Sequence, residues 1–258
     1  MLEKLKRFFN RERVGPSEAG ALLVNSWLDV AEWAGACRYH FKRTRDGQGF
    51  VVDASFEGQP WRLEWGPSQR PYIDGHELRL RMELMLPSGL QMLVLNRVLL
   101  ESLENESFER YTEVNQTQVD VSTSEEMRWV ALFAASDLAT QRSLKPHFAA
   151  LSRSPAHVDA WLQGALTAAL TRTMAAAMKP ELPFVLLTLR GRVYMRTALA
   201  QPAPAVLNAM ASLFTTACTE ALRVSKSNFV EGTPSEAADT SKLGDASTAW
   251  PSPFKAKK

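Results

Sequence analysis

Cysteine is scarce in this sequence: Cys37 and Cys218 are the only two among 258 residues. Two cysteines are too few for a disulfide framework, and neither belongs to a Cys-x-x-Cys pair. We therefore expect both thiols to be reduced and to serve in packing. This usage is typical of a bacterial, cytoplasmic protein and excludes the class of small disulfide-stapled secreted domains.

Long apolar runs are also lacking. No stretch approaches the roughly 18 to 20 consecutive apolar residues that span a bilayer. The charged start is not followed by the apolar run and cleavage site of a secretory signal. These two features lead us to expect a cytoplasmic location.

The sequence has no excess of charge of one sign. It contains 30 Lys and Arg residues against 28 Asp and Glu residues, a formal net charge of +2. No global field then favours nucleic acid, and we expect no specific nucleic-acid partner.

The motifs of common cofactor sites and active sites are missing as well. Neither phosphate-binding glycine pattern occurs, since Gly47 and Gly49 lie between two predicted strands and not between a strand and a helix. There is no Gly-x-Ser-x-Gly or His-Glu-x-x-His motif. Cys37 and His40 are three residues apart on a predicted strand, so they point to opposite faces. We predict no cofactor and no metal.

What the sequence does contain is a clear period of two between Cys37 and Asn96. Apolar residues alternate with charged ones around Trp61, Trp65 and Leu80. Such alternation is typical of an antiparallel sheet with one face buried and the other exposed to solvent. We predict an α+β fold with an antiparallel β-meander of about five strands, packed with helices.

Helical periodicity and turn residues place the remaining elements. We predict a short helix at 97–104, extended chain around 111–121, and helices over 155–178 and 204–224. Ser122 with Glu125, or Thr123 with Glu126, forms a capping box ahead of another helix. Residues 184–199 are predicted as an isolated C-terminal hairpin, before the final helix.

The domain organisation follows from these elements. Residues 1–14 are predicted to form a basic amphipathic helix, and residues 15–224 a single α+β domain. An alternative divides that domain into two β-then-helix halves, 15–136 and 137–224. Residues 225–258 are rich in Ser, Thr, Ala, Gly and Pro and are predicted to be disordered.

Two groups of residues are candidates for surface contacts. The first is Lys6, Arg7, Phe8 and Phe9, which an amphipathic helix could place on an anionic membrane surface or back onto its own domain. The second is the hairpin pair Arg190 and Arg192, together with Arg196, which could grip a phosphate or an acidic partner.

One acid–base candidate is present. Asp74 lies two residues before His76, and a carboxylate at that spacing could orient an imidazole, with a further acid from the 113–126 block. The alternative interpretation is a loop-to-strand turn at Asp74-Gly75, which we favour because no third partner can be named.

These features favour a non-catalytic protein-binding or adaptor module with another protein as its partner. A peripheral position at the inner face of the membrane is a further hypothesis. One alternative is a hydrolase with a site around Asp74 and His76. A second alternative is a secretion-chaperone or immunity-type protein, which would share the same features. The sequence indicates no oligomeric state.

Overall fold

The computed structural model describes residues 27–113 and 124–228, which form an α+β fold. The helices in those ranges are α1 (Leu28–Ala36), α2 (Arg97–Glu113), α3 (Glu125–Leu132), α4 (Pro155–Trp161), α5 (Ala165–Ala176) and α6 (Pro204–Asn228). The strands are β1 (His40–Arg43), β2 (Phe50–Phe56), β3 (Gln59–Pro67), β4 (His76–Glu83), β5 (Met92–Asn96), β6 (Ala134–Ala135), β7 (Phe148–Ser152), β8 (Phe184–Leu189) and β9 (Arg192–Ala198).

All nine strands of the described ranges belong to one antiparallel sheet, in the order β1-β2-β3-β4-β9-β8-β5-β7-β6. The predicted meander is confirmed for β1 to β4, and the C-terminal hairpin and long final helix are confirmed too. The prediction of a fifth meander strand and an isolated hairpin was wrong, because the β8–β9 hairpin lies between β4 and β5. After β4, the amides of Leu84 and Leu86 donate to the Gly191 carbonyl at the hairpin tip. These hydrogen bonds hold the segment after β4 against the tip of the β8–β9 hairpin.

Several boundaries differ from the sequence prediction. Helix α2 runs on to Glu113, so the short helix at 97–104 and the extended chain from residue 111 were wrong for the described part. Strands β6 and β7 were not predicted. Helix α3 is capped by Ser124, whose hydroxyl accepts from the Met127 amide, while Ser122 and Thr123 lie outside the described residues.

The predicted helix over 155–178 is two helices, α4 and α5. Gly164 separates them with a φ of 62° and a ψ of −113°, a conformation open to glycine and strained for other residues. Periodicity did not reveal the break because the apolar stripe continues on both sides of it.

The main core lies on one face of the sheet, beneath α1, α4, α5 and α6. Trp61 and Trp65 are 3% and 5% exposed, so the prediction that both look inward is confirmed. Among the helices in the described residues, only α6 is long and apolar enough to cross a bilayer. The buried side of α6 comprises Leu207, Met210, Ala211, Leu213, Phe214, Ala217, Cys218, Ala221 and Val224.

A second, smaller core lies on the opposite face, under α2 and α3. Leu99 and Leu103 of α2 and Met127 of α3 pack there against β5, β7 and β8. These three strands are buried on both faces, so every residue of β5, β7 and β8 is buried. On the same face, β2, β3, β4 and β9 carry charged side chains.

Candidate functional site

The charged face of β3, β4 and β9 is largely buried. We had expected it to be exposed to solvent, but Glu64 is 3% exposed, Glu77 0% and Arg79 7%. The expectation was wrong at the centre of the sheet because these side chains pair with each other across neighbouring strands. In the interior, an opposite charge compensates each charged group, as water would solvate it at the surface.

Glu77 is the centre of this network. Its carboxylate forms a short hydrogen bond with the Arg196 guanidinium of β9. It also accepts a hydrogen bond from the Gln69 amide at 2.8 Å, and Arg79 Nη1 lies 3.7 Å away. Two guanidinium groups, one backbone amide and the Ser68 hydroxyl, which donates at 3.4 Å, thus compensate one fully buried carboxylate.

A second buried carboxylate, Glu126, ties helix α3 to the loop between β3 and β4. Arg70 Nε lies 3.4 Å from both Glu126 oxygens. Burial opposes the charge of Glu126, but Arg70 and Arg196 outweigh it and hold its pKa below the ordinary value. Burial also raises the pKa of the neighbouring Tyr72 phenol well above its usual range. The contact therefore holds a charged pair inside the protein at neutral pH.

The ion pairs continue outward from this centre to the sheet edge. Arg79 Nε lies 3.5 Å from Glu64, and Arg62 lies 3.9 Å from the same carboxylate. Arg62 donates to Asp53 at 2.6 Å, and Lys42 Nζ lies 3.6 Å from Asp53. This series of pairs connects β1 with the middle of the sheet and orients the charges beside the edge strand.

Strand β1 is the edge of the sheet in the described part of the chain. The Thr44 amide donates to the Gly49 carbonyl at 2.9 Å, which makes that pair a hydrogen-bonded one. Hydrogen-bonded pairs alternate with non-hydrogen-bonded pairs along an antiparallel ladder. In the β1–β2 register, Phe41 and Arg43 are then in non-hydrogen-bonded pairs, so their N–H and C=O groups point away from β2.

The edge strand and its flanks are basic. Arg38, His40, Lys42 and Arg45 are exposed and Arg43 is half-buried, with no acidic residue between positions 38 and 45. The next carboxylate along the chain, Asp46, accepts hydrogen bonds within its own turn. Hydrogen bonds from the Thr44 hydroxyl at 2.6 Å and the Gln48 amide at 3.0 Å lower its pKa.

The aromatic residues of this segment face inward. The ring of Tyr39 lies edge-on to Trp61 with centroids 5.4 Å apart, and the ring of Phe41 lies 5.5 Å from Phe50. Both pack against the main core, so the core fixes the position of the edge strand.

The hairpin arginines do not form a joint site. Arg196 is buried against Glu77, whereas Arg192 pairs with Glu83 at 3.0 Å on the surface. Arg190 lies at the exposed hairpin tip with a φ of 50°. The structure therefore does not bring the three side chains together for one anion, and contact of Arg190 and Arg192 with a partner stays a prediction. The other predicted contact residues, Lys6, Arg7, Phe8 and Phe9, lie outside the described residues.

Asp74 and His76 lie at a turn. Asp74 is exposed, Gly75 has a φ of 74°, and its carbonyl accepts from the Ser68 amide. The His76 ring stacks on Trp65 at 4.5 Å, on the main-core face of β4. Glu126 lies on the opposite face with Arg70, so the structure does not bring this acid together with His76.

The cysteines are free, as expected from their number. Cys218 is buried in α6, and burial raises the pKa of its thiol, which keeps it protonated. Cys37 is half-buried at the end of α1.

A small cavity lies between Asn96, His147, Met178 and Phe184. Its volume of about 20 Å³ has room for about one water molecule. Within residues 27–113 and 124–228, no cluster of three or more His, Cys, Asp or Glu side chains is placed to hold a metal ion.

The chain matches no protein-family model, no curated protein sequence and no solved structure. The sites described above therefore rest on the geometry of this fold.

The sequence pattern did not indicate that β1 lies at the edge of the sheet. The run Arg38-Tyr39-His40-Phe41-Lys42-Arg43 predicts one strand of a hairpin, and its period of two carries no information about the strand's neighbours. Charged residues, lysine above all, are characteristic of edge strands, and this pattern could have indicated its place at the sheet edge.

Proposed function

We propose that this chain is a non-catalytic protein-binding module and that its binding surface is the sheet edge at β1. The observation that carries the proposal is the outward direction of the backbone N–H and C=O groups of Phe41, in the strand that ends the described sheet. An edge of this kind can accept an additional strand, because main-chain hydrogen bonds supply affinity and the flanking side chains supply specificity.

The rigidity of the edge supports the same proposal. Phe41 is held by the core and Lys42 by Asp53, so β1 does not have to become ordered when a partner arrives. A preorganised surface loses less conformational entropy on binding than a flexible one. A larger share of the interaction free energy then remains as binding affinity.

The alternative hydrolase hypothesis has weaker support. It needs Asp74, His76 and an acid in one place, whereas His76 stacks on Trp65 and Glu126 pairs with Arg70 across the sheet. A general base must lie within hydrogen-bonding reach of its reacting partner.

Site-specific photo-crosslinking in living cells tests the proposal. The photoreactive residue p-benzoylphenylalanine replaces Lys42 on β1 or, as a control, the exposed Ser212 on α6. We expect one defined protein adduct at position 42 and none at position 212.

Mass spectrometry identifies the captured protein, and the purified pair is then reconstituted. Adducts that are the same at positions 42 and 212, or the absence of any adduct at position 42, would contradict the proposal.

A further inference from the structure

We infer that Met85 is a site of reversible oxidation, at which a peroxide converts the thioether to a sulfoxide while the protein stays folded. This inference is independent of the β1 edge and goes beyond the proposed function. The observation that carries it is the position of Met85 between two core residues, with its own side chain 84% exposed.

The local backbone places Met85 outside the core. The amides of Leu84 and Leu86 both donate to the Gly191 carbonyl, at 2.9 and 3.3 Å. In an extended strand, amides two residues apart are too distant from each other to share one acceptor in this way. The backbone therefore turns at Met85, whose φ of 52° lies in the left-handed region.

The neighbours of Met85 hold this turn in place. Leu84 and Leu86 are buried and belong to the main core, so the chain is anchored immediately before and after the turn. Two anchored neighbours and a shared hydrogen-bond acceptor keep the Met85 side chain in solvent. Its exposure is thus a property of the folded state.

The other methionines of the described residues are less accessible than Met85. An oxidant must reach the sulfur, and a buried thioether reacts only when the structure opens, which lowers its rate by the population of the open state. Met85 needs no such opening. The buried methionines are Met82, Met92, Met127, Met195 and Met210, and the half-buried ones are Met174 and Met178.

The reaction is a two-electron oxidation. A sulfur lone pair attacks one oxygen of hydrogen peroxide, so that an S–O bond forms and the O–O bond breaks. The proton on the transferred oxygen moves to the departing one, which leaves as water, and the sulfur becomes a sulfoxide. A methionine sulfoxide reductase reverses the change: the oxygen leaves as water while two thiols are oxidised to a disulfide.

The fold tolerates the sulfoxide at this position. Oxidation converts an apolar side chain into a polar one, which disrupts a core. The side chain of Met85 already lies in water, so the new S=O group needs no partner inside the protein. The same change at Met195, which is fully buried in β9, would place an unpaired polar group in the main core.

Peptide mass spectrometry on the full chain tests the inference. The folded protein is treated with hydrogen peroxide, and the sulfoxide at each methionine is measured over time. We expect Met85 to react at least about tenfold faster than Met82, Met195 and Met210, whose sulfurs are reached only after opening. In urea the rates should converge, because the folded structure and not the local sequence sets the difference. Met1, outside the described residues, is measured on its own peptide.

Two pairs of variants separate reactivity from tolerance. Met85→Leu should remove the fast phase of oxygen uptake, whereas Met82→Leu in β4 should retain it. Met85→Gln, a polar side chain that peroxide does not convert, should leave the unfolding temperature unchanged, whereas Met195→Gln should lower it. Protein oxidised at Met85 alone should unfold at the temperature of untreated protein, and a methionine sulfoxide reductase with dithiothreitol should restore the thioether.

Reaction of Met85 no faster than that of the buried methionines, or earlier reaction of Met174 or Met178, would overturn the inference. So would a lower unfolding temperature after oxidation at Met85, or a Met85 sulfoxide that the reductase leaves unchanged. Crosslinking at position 42 tests a different part of the molecule, so the inference and the proposed function fail separately.

Discussion

At the scale of single residues, Glu77 explains how charged side chains occupy the interior of this sheet. It is fully buried, and its carboxylate is compensated by Arg196, Arg79 and the Gln69 amide. Removing one partner of such a set leaves the others buried without compensation, which is more costly than losing an exposed pair. The interior network therefore depends on its carboxylates as much as on its arginines.

The Glu77→Gln variant should lower the free energy of unfolding by about 3 kcal/mol, because it leaves Arg196 buried against a neutral group. Glu83→Gln is the matched control: Glu83 pairs with Arg192 on the surface, where both side chains are about half exposed, and should lose less than about 1 kcal/mol. Urea unfolding of both variants checks this. Equal losses would mean that the buried network contributes nothing beyond a surface pair.

The pH dependence of stability should reflect Glu126. Its pKa in the folded protein lies below the ordinary value of 4.5, since Arg70 and Arg196 outweigh the effect of burial. Its contribution is therefore full above that ordinary value and is lost as pH falls through the folded-state pKa. Glu126→Gln should be less stable than the wild type at neutral pH, and the difference should shrink below about pH 4.5. Urea midpoints measured from about pH 7 to about pH 3 test this. A difference that stays constant over this range would refute it.

At the scale of elements, the break between α4 and α5 shows how one backbone position directs the chain. Gly164 has a positive φ, and no heavy atom lies within 4 Å of the place where a Cβ would stand. Backbone conformation alone therefore requires glycine there. The break lets both α4 and α5 pack against α6, which a straight helix of that length would not do.

The Gly164→Ala variant should lower the free energy of unfolding by about 1 to 2 kcal/mol, the range for a non-glycine residue forced to positive φ. The control is Gly35→Ala in α1, where a Cβ also meets nothing within 4 Å and φ is not positive. That change should be neutral or stabilising by about 0.5 to 1 kcal/mol, since alanine favours helix more than glycine. Thermal unfolding compares the two variants, and a neutral Gly164→Ala would disprove the strain.

At the scale of the whole molecule, strands from early and late parts of the chain share one sheet. The β8–β9 hairpin pairs with β4 on one side and with β5 on the other. Helix α6, which follows the hairpin, covers the main core beneath β4 and β9. The edge of β4 that pairs with β9 and the edge of β5 that pairs with β8 cannot form before the C-terminal part of the chain is present.

A fragment ending at residue 136 should therefore show no cooperative unfolding transition, because it lacks the β8–β9 hairpin and α6. Co-expression of this fragment with residues 137–258 should restore a folded complex. Circular dichroism and size-exclusion chromatography measure both outcomes. A fragment that unfolds cooperatively by itself would support two independent β-then-helix halves.

Sequence patterns specified the parts of this fold that depend on near neighbours. The alternation around Trp61 and Trp65 predicted the strands and their inward face, because period two is a local property of extended chain. The glycine turns between β1 and β2 and between β8 and β9 were also local. Strands β6 and β7 escaped prediction because the two-residue β6 is too short to show a period, and β7 is a continuous apolar run up to Ser152 and shows no alternation.

What the sequence by itself determined is the α+β class, the order of most elements and the residues that face the main core. The tertiary structure alone decided that the late hairpin separates β4 from β5, that the charged face is buried at its centre, and that β1 ends the described sheet. The physical reason is that the identity of a strand's neighbours, and the charges they bring, depends on pairing between distant segments, whereas periodicity reports only on each segment separately.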